Sequence, residues 1–281
     1  MSVTPKVVIH KFSPNSKNET YAPGIADFFK GSISLYQYSK IYNFKLYLDF
    51  SEHPIYEFLE NNNVPSFPDA ETLELYNTTP SFLKAKMESA LHESGVVKIQ
   101  CNLDYEMKPD DETIQFILNN FRPTKYINDK VVALKKSLEL DGDNFWTIHV
   151  RAGDTFMIQN SAKEFDSRFL IYFKEGHAKN LIKLLDYMRQ YYDGKIFLIS
   201  DNTVVRSFVS NKYKFQTTDF IPMHSGALAK ENSSLRTEEM LIEWLVMCSS
   251  SKVLCYALVG HSGFSDMANI LFKIPLETHF I

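Results

Sequence analysis

Arg151 is the residue of this sequence whose position most needs a chemical explanation. It ends the apolar run FWTIHVR and is followed closely by Gly153 and Asp154. A charge at the end of a buried strand is expensive to desolvate unless it has a partner. Arg151 therefore either pairs with an internal acid, such as Asp154 in the same turn, or extends into a cleft and binds an anion. The rigid fork of a guanidinium matches two phosphate oxygens at once.

Two later segments also place polar residues where a predicted strand ends. FLISDN ends in Ser200, Asp201 and Asn202, and VGHSGFSDMANI carries Ser262 and Ser265 just before a helical pattern. Amide groups at a helix N-terminus form an anion site, and Ser265 is the predicted cap of this helix. Each segment also has an ordinary interpretation. Asp201 or Asn202 can simply cap the following helix, and the last segment can be a capped helix without a ligand.

Short apolar runs alternate with longer segments of helical period, which favours an α/β fold with parallel strands. Strands are predicted at 6–10, 45–50, 96–101, 145–150, 195–200, 213–216 and 252–257. Helices are predicted at 23–43, 81–94, 111–121, 125–140, 177–192, 203–210, 235–249 and from about 265 onward. Two α/β domains joined within 122–143 are expected, with the site in a cleft between them.

The composition and net charge of the sequence argue against several classes of function. The 281 residues are 44% hydrophobic and carry a net charge of −4, which gives no reason to expect binding to nucleic acid or to anionic membranes. Three cysteines without a CxxC pair argue against a disulfide framework or a zinc site and fit a reducing compartment. The N-terminus has no apolar signal-peptide core, and no apolar run approaches the ~20 residues of a membrane span. A cytoplasmic protein is therefore expected.

The three strand-end segments, in this order, resemble the motifs of GDP-fucose-dependent fucosyltransferases. HVRAGD is similar to their HxRxGD motif, and FLISDN to a second motif that ends an apolar strand in Ser-Asp. EEMLIEWLVMCSSSKVLCYALVGHSGFSDMANIL is similar to the third, a helix, a strand and a Ser-x-Phe-Ser turn. The similarity covers roughly 145–273, and PGIADFFKGSISLYQY resembles the opening of the first domain only loosely. Ala152 replaces a common second Arg, and Asp266 and Met267 replace aromatic residues.

This resemblance implies a B-type glycosyltransferase fold, α/β with two Rossmann-like domains facing across a cleft. Residues 1–135 would form the acceptor-side domain and 136–281 the nucleotide-sugar-binding domain. The implied reaction is inverting transfer from a nucleotide-diphosphate sugar, with GDP-fucose favoured, to a glycan hydroxyl, without a metal. Arg151 would bind the diphosphate and neutralise charge on the departing nucleotide. The other donor-binding residues implied are His149, Gly153, Ser200, Asp201, Ser262, Gly263, Phe264, Ser265 and Gly24.

An inverting displacement needs a base for the acceptor hydroxyl. Asp27, near Gly24, and Asp154 are the two candidates, although Asp27 can equally be a carboxylate that stabilises a helix N-terminus. Asp141 and Asp143 form an Asp-x-Asp pair that precedes a predicted strand. We therefore interpret it as a polar loop and not as a metal site.

Three other functions stay open at this stage. The donor could be another nucleotide sugar, such as a UDP-sugar, or the protein could bind a nucleotide or glycan without turnover. GHSGF also comes close to the G-x-S-x-G elbow of serine hydrolases, but Phe264 replaces the last glycine. Only His279 follows Ser262 as a triad histidine, in a tail that the sequence predicts to be frayed.

Overall fold

The computed structural model describes residues 6–13, 24–60, 64–67, 70–140, 142, 144–151, 178–220, 234–257 and 261–280. The chain divides into two compact units, Met1–Thr124 with Ser225–Ser234 and Lys125–His224 with Leu235–Ile281. The described part of each unit holds one parallel four-stranded sheet. The predicted α/β class with two parallel-sheet domains is confirmed.

The first unit contains a sheet with the strand order β2-β1-β4-β3. Its elements are β1 (Lys6–Lys11), α1 (Ile25–Tyr42), β2 (Phe44–Asp49), a 3₁₀ helix (Pro54–Phe58), β3 (Thr72–Leu75), α2 (Pro80–Glu93), β4 (Val96–Cys101) and α3 (Asp111–Asn120). The crossovers from β1 to β2 and from β3 to β4 step in the same direction across the sheet. Right-handed connections therefore place α1 and α2 on the same face.

Aromatic side chains dominate the contact between α1 and the first sheet. The Phe28 ring lies 5.0 Å from both Phe12 and Phe50, and it stacks on the His10 ring at 4.3 Å. Gly31 lets α1 approach the sheet here, because a methyl group at this position would lie 2.5 Å from the carbonyl oxygen of Cys101. Helix α1 thus makes its close contact with the sheet at a glycine that lies beside His10 and Cys101.

The second unit contains a sheet with the strand order β6-β5-β7-β8. Its elements are α4 (Lys125–Ser137), β5 (Phe145–Arg151), α5 (Ala178–Tyr191), β6 (Lys195–Ser200), α6 (Thr203–Tyr213), α7 (Ser234–Met247), β7 (Lys252–Ala257), α8 (Gly263–Phe272) and β8 (Leu276–Phe280). From β5 the chain passes to β6 on one side and then to β7 on the other. The carboxyl ends of β5 and β7 therefore flank a topological switch point, where ligands of open parallel sheets bind.

Alternation along β5 decides which residues reach which side of the second sheet. Ile148 and Val150 are fully buried in a core with Leu181 of α5 and Val205 of α6. His149 and Arg151 alternate with them and lie on the opposite face. The strand thus directs these two polar side chains away from the aliphatic core.

Two terminal segments of the second unit differ from the sequence prediction. The predicted strand at 213–216 is wrong, because α6 continues to Tyr213 and only Gln216 forms an isolated bridge, to Phe197. The tail predicted to be frayed is instead strand β8, which pairs in parallel with β7 from Leu276 to Phe280. β3 was also not predicted. None of the described helices is both long and apolar enough to cross a membrane.

The close contact at Gly31 predicts the cost of a side chain there. Alanine favours a helix over glycine by ~1 kcal/mol, but the new methyl group would collide with backbone at Cys101, and overpacking costs about 1–3 kcal/mol. Because the collision is with backbone, which cannot move aside as a side chain can, the cost lies at the upper end of this range. We expect Gly31→Ala to lower the free energy of unfolding by about 2 kcal/mol, measured by urea denaturation.

Gly194→Ala is the matched control, because the three atoms nearest to a methyl group there all belong to the outer end of the Tyr192 side chain and not to backbone. A Gly31→Ala protein that is as stable as the wild type, or more stable, would contradict the packing described.

Candidate functional site

Arg151 lies at the carboxyl end of β5, beside the switch point of the second sheet. Its Nη1 donates to Asp201 Oδ2 at 2.5 Å. The side chains of Arg151 and Asp201 are 20% and 10% exposed. Arg151 is therefore paired with a carboxylate at the end of strand β6, and the guanidinium is not sealed from solvent.

Ser200 and Asn202 hold the strand end that carries Asp201. Ser200 Oγ donates to the Val150 carbonyl at 2.8 Å and accepts from the Asn202 amide at 3.1 Å. The Asn202 side chain accepts from the Val205 amide at 3.1 Å, so Asn202 caps α6. Ser200 is 1% exposed and links β5 to β6. Of the three polar residues of FLISDN, Asp201 is the one paired with Arg151.

His149 contacts both serines that precede or begin α8. Its Nδ1 lies 2.8 Å from Ser265 Oγ and 3.3 Å from Ser262 Oγ. Burial lowers the pKa of His149 from 6.5 to about 4, and the neighbouring Asp201 charge opposes this shift in part. The imidazole is therefore neutral at pH 7 and serves as a hydrogen-bond partner for the serine hydroxyls.

The start of α8 differs from the prediction. Ser265 is not the cap: the helix begins at Gly263, and the Ser262 side chain accepts from the Ser265 amide at 3.5 Å. The serines lie three positions apart, so the sequence alone could not decide between them. Phe264 packs 5.7 Å from the His149 ring, and its carbonyl accepts from Trp244 Nε1 at 3.0 Å.

The contact between His149 and Ser262 bears on the hydrolase alternative. A serine hydroxyl does lie beside an imidazole, and the histidine is His149 and not His279. However, Ser262 and Ser265 are 2% and 0% exposed, and Ser262 is occupied as a helix cap. His279 instead pairs with Glu277 on β8. The geometry does not favour a serine nucleophile.

A buried ion pair behind the strand ends was missed from the sequence. Arg206 Nη1 donates to Glu243 Oε1 at 2.9 Å and to Thr218 Oγ1 at 2.8 Å, and Nη2 donates to the Ser200 carbonyl at 2.8 Å. Thr218 Oγ1 also donates to Glu243. Burial raises the pKa of Glu243. Single charges inside the apolar stretches TVVRSFV and MLIEWLVMC were the signal that could have revealed this pair.

The remaining predicted site residues lie in the first unit or outside the described residues. Gly24 is the N-cap of α1 and Asp27 lies in its first turn, both in the first unit. Gly153 and Asp154, with Ala152, lie outside the described residues, as do Asp141 and Asp143. No group of three or more His, Cys, Asp or Glu side chains with metal-binding geometry occurs in the described ranges. All three cysteines are free and buried.

No protein-family model matches this chain, and no curated protein matches it significantly. Solved structures do. NodZ α-1,6-fucosyltransferase co-crystallized with GDP is 15% identical with a TM-score of 0.58, over 96% of this chain and 93% of that chain. The fucosyltransferase NodZ from Bradyrhizobium is 15% identical with a TM-score of 0.56, over 96% and 94%. A mutant of Arabidopsis thaliana FUT1 in complex with GDP is 10% identical with a TM-score of 0.55, over 99% and 70%.

The fold is that of a B-type glycosyltransferase. The likeness extends over nearly the whole chain. At these low identities it establishes the architecture. The two parallel sheets agree with the fold expected from the three strand-end motifs.

The neutral state of His149 predicts a pH dependence of stability. Its pKa is about 4 in the folded protein and 6.5 as a reference, so between these values the unfolded chain binds a proton that the folded chain does not. Titration of His149 therefore leaves the free energy of unfolding unchanged above pH 6.5. As the pH is lowered from 6.5 towards 4, it reduces that free energy by ~1.4 kcal/mol per pH unit. We expect His149→Gln to reduce proton uptake on unfolding by nearly one proton at about pH 5, measured from urea denaturation across pH.

His10 contributes in the same direction in both proteins, because burial lowers its pKa to about 3. Comparing the variant with the wild type therefore isolates His149, and above pH 7 the two slopes should coincide as an internal control. Equal proton uptake at pH 5 would contradict a neutral, buried His149.

Proposed function

We propose that this protein is a glycosyltransferase that moves a sugar, with fucose favoured, from a GDP-linked donor to a glycan hydroxyl with inversion. The observation that carries the proposal is the position of Arg151. Its guanidinium is partly exposed at the carboxyl end of β5, beside a topological switch point, in the fold of GDP-bound fucosyltransferase structures. The second unit would bind the donor, and the first unit would bind the acceptor.

Arg151 has the chemistry to act on the leaving group. As the glycosidic bond breaks, the nucleotide diphosphate gains negative charge, and a guanidinium fork stabilises that charge more in the transition state than in the ground state. A fixed cation in the protein can fill the role that a divalent metal has in other transferases. Metal independence is therefore part of the proposal.

Asp201 defines the state of Arg151 before the donor binds. The Asp201 carboxylate pairs with the guanidinium, so a diphosphate that binds Arg151 would share or replace this partner. Arginine suits such an exchange because it offers five donors in a planar fork. We place Asp201 at the boundary between the diphosphate and the nucleoside.

The start of α8 supports a second contact to the diphosphate. The Ser262 and Ser265 hydroxyls both contact His149, and Ser262 also accepts from the Ser265 amide as the helix cap, so we propose that these serines shape the site. The amides of Gly263 and Phe264 in the first turn are then the groups that a phosphate would meet, where the helix dipole also favours an anion. His149 fixes this turn relative to β5 through its hydrogen bonds.

The base that takes the acceptor proton is proposed to be Asp27 or Asp154. Asp27 is in the first turn of α1, where a carboxylate also stabilises the helix dipole. Replacing each in turn, as Asp27→Asn and Asp154→Asn, separates them: loss of kcat with donor binding retained identifies the base.

The proposal predicts which nucleotide stabilises the protein and through which residue. GDP should raise the melting temperature, with UDP and dTDP giving smaller shifts, because a ligand that binds only the folded state stabilises it. Arg151→Ala should abolish the GDP shift, and Arg151→Lys should weaken it, because an ammonium cannot reproduce the planar fork. Sugar transfer from GDP-fucose should fall at least 100-fold in Arg151→Ala, the scale of losing one such electrostatic contact.

Arg189→Ala is the control, because Arg189 is an exposed arginine that donates to backbone carbonyls at the end of α5. It should bind GDP as the wild type does. A UDP-specific shift would overturn the GDP assignment and favour a UDP-sugar transferase. An Arg151→Ala protein with full transfer activity would overturn the mechanism.

A further inference from the structure

Helix α1 packs against one face of the first sheet, and the opposite face of this sheet carries polar side chains. His10, which stacks on Phe28 of α1, alternates with Ile9 and Lys11 along β1. The register places Ile9 between Tyr47 of β2 and Lys98 of β4, and Lys11 beside Asp49. Strands of a sheet that is buried on both faces are almost entirely apolar, so charged residues here indicate that this face is not fully covered by apolar elements.

A cavity of about 320 Å³ lies in the first unit, where this face meets the carboxyl ends of β1 and β2. Side chains of the sheet, of the 3₁₀ helix Pro54–Phe58 and of the segment 64–67 line it. Its volume is near the lower end of the range for small-molecule sites, roughly 300–1,000 Å³. The lining residues that the structure describes belong to the first unit.

Two ammonium groups point to a ligand with hydrogen-bond acceptors. Lys11 pairs with Glu52 at the cavity although its side chain is only 12% exposed. An ammonium has three donors, and within the described residues Lys11 Nζ donates one hydrogen bond, to Glu52. Lys98, on a central strand, lines the same cavity and interacts electrostatically with Glu52.

The rest of the lining selects among ligand classes. Among the described lining residues, Asp49, Glu52 and Glu60 outnumber the two lysines, and this net negative charge disfavours acidic ligands. A purely apolar ligand would desolvate these charges without supplying any hydrogen bond in return. Buried Ile9 and the exposed ring of Tyr56 offer apolar surface beside the polar groups. A ring that is apolar on its faces and rich in hydroxyls at its edge fits both features.

We propose that this cavity binds one neutral sugar residue. Its hydroxyls accept from Lys11 and Lys98 and donate to Asp49 and Glu52, and its C–H face lies against Tyr56. As a saccharide site the cavity stands on these residues alone. Its assignment to the acceptor glycan rests on the proposed glycosyltransferase function.

Titration of the full-length protein with methyl glycosides, followed by saturation-transfer NMR, tests the site. Methyl glucoside, galactoside, mannoside and N-acetylglucosaminide form the neutral set, and methyl glucuronide is the acidic comparison. At least one neutral glycoside should bind saturably and the glucuronide should bind more weakly. Lys98→Met, which keeps side-chain length but removes the charge, should weaken binding about tenfold, the scale of a hydrogen bond to a charged group.

Tyr56→Ala provides a second variant, because this exposed residue can be changed with little risk to folding, and it should weaken binding as well. Lys45→Met is the matched control: Lys45 is an exposed lysine of β2 on the same face that does not line the cavity. It should bind as the wild type does. The site is refuted if no neutral glycoside saturates, or if Lys98→Met and Tyr56→Ala both bind like the wild type.

The same proteins separate this proposal from the donor site. Lys98→Met should keep the GDP thermal shift, and Arg151→Ala should keep glycoside binding. Glycoside binding without any nucleotide effect would leave the sugar site standing and remove the transferase function. A GDP response without glycoside binding would do the reverse.

Discussion

The charge of Arg151 must be balanced at the end of the central strand of the second sheet, and the surrounding structure is arranged to do this. Asp201 supplies the carboxylate, and it does so from a strand end fixed by Ser200 and by the Asn202 cap. With the two side chains 20% and 10% exposed, their attraction is stronger than that of a surface pair but still open to exchange. In the proposed mechanism, an incoming diphosphate would replace one anion by another without leaving the guanidinium uncompensated.

Two arginines lie near this strand end, and their surroundings give them different roles. Arg206 is enclosed by Glu243, Thr218 and backbone carbonyls, including that of Ser200. Removing one partner of such a pair costs roughly 3–5 kcal/mol, because the other charge stays buried. Arg206 thus holds the backbone at β6, whereas Arg151, one residue beyond the buried part of β5, remains partly exposed.

Much of this organisation could be predicted from the sequence, and the failures have physical causes. Strand β5 was predicted because its apolar run ends sharply, and Arg151 because a charge at that end is costly. β8 was missed because its residues are only partly buried, so no alternation marks it. The pairing of Arg151 with Asp201 could not be predicted, since fifty residues separate them and only the sheet register brings them together.

The two sheets offer unlike chemistry, as the proposed transfer between two unlike substrates would require. The second places the Arg151–Asp201 pair beside a switch point, where the proposed mechanism has a phosphate take over from the carboxylate. The first presents lysines and carboxylates in register on one face, with alternation in VVKIQC as the sequence sign of that face. Because Arg151 pairs with Asp201 and Lys11 pairs with Glu52, the net charge of −4 reveals neither site. Local compensation, and not overall charge, decides what such a protein can bind.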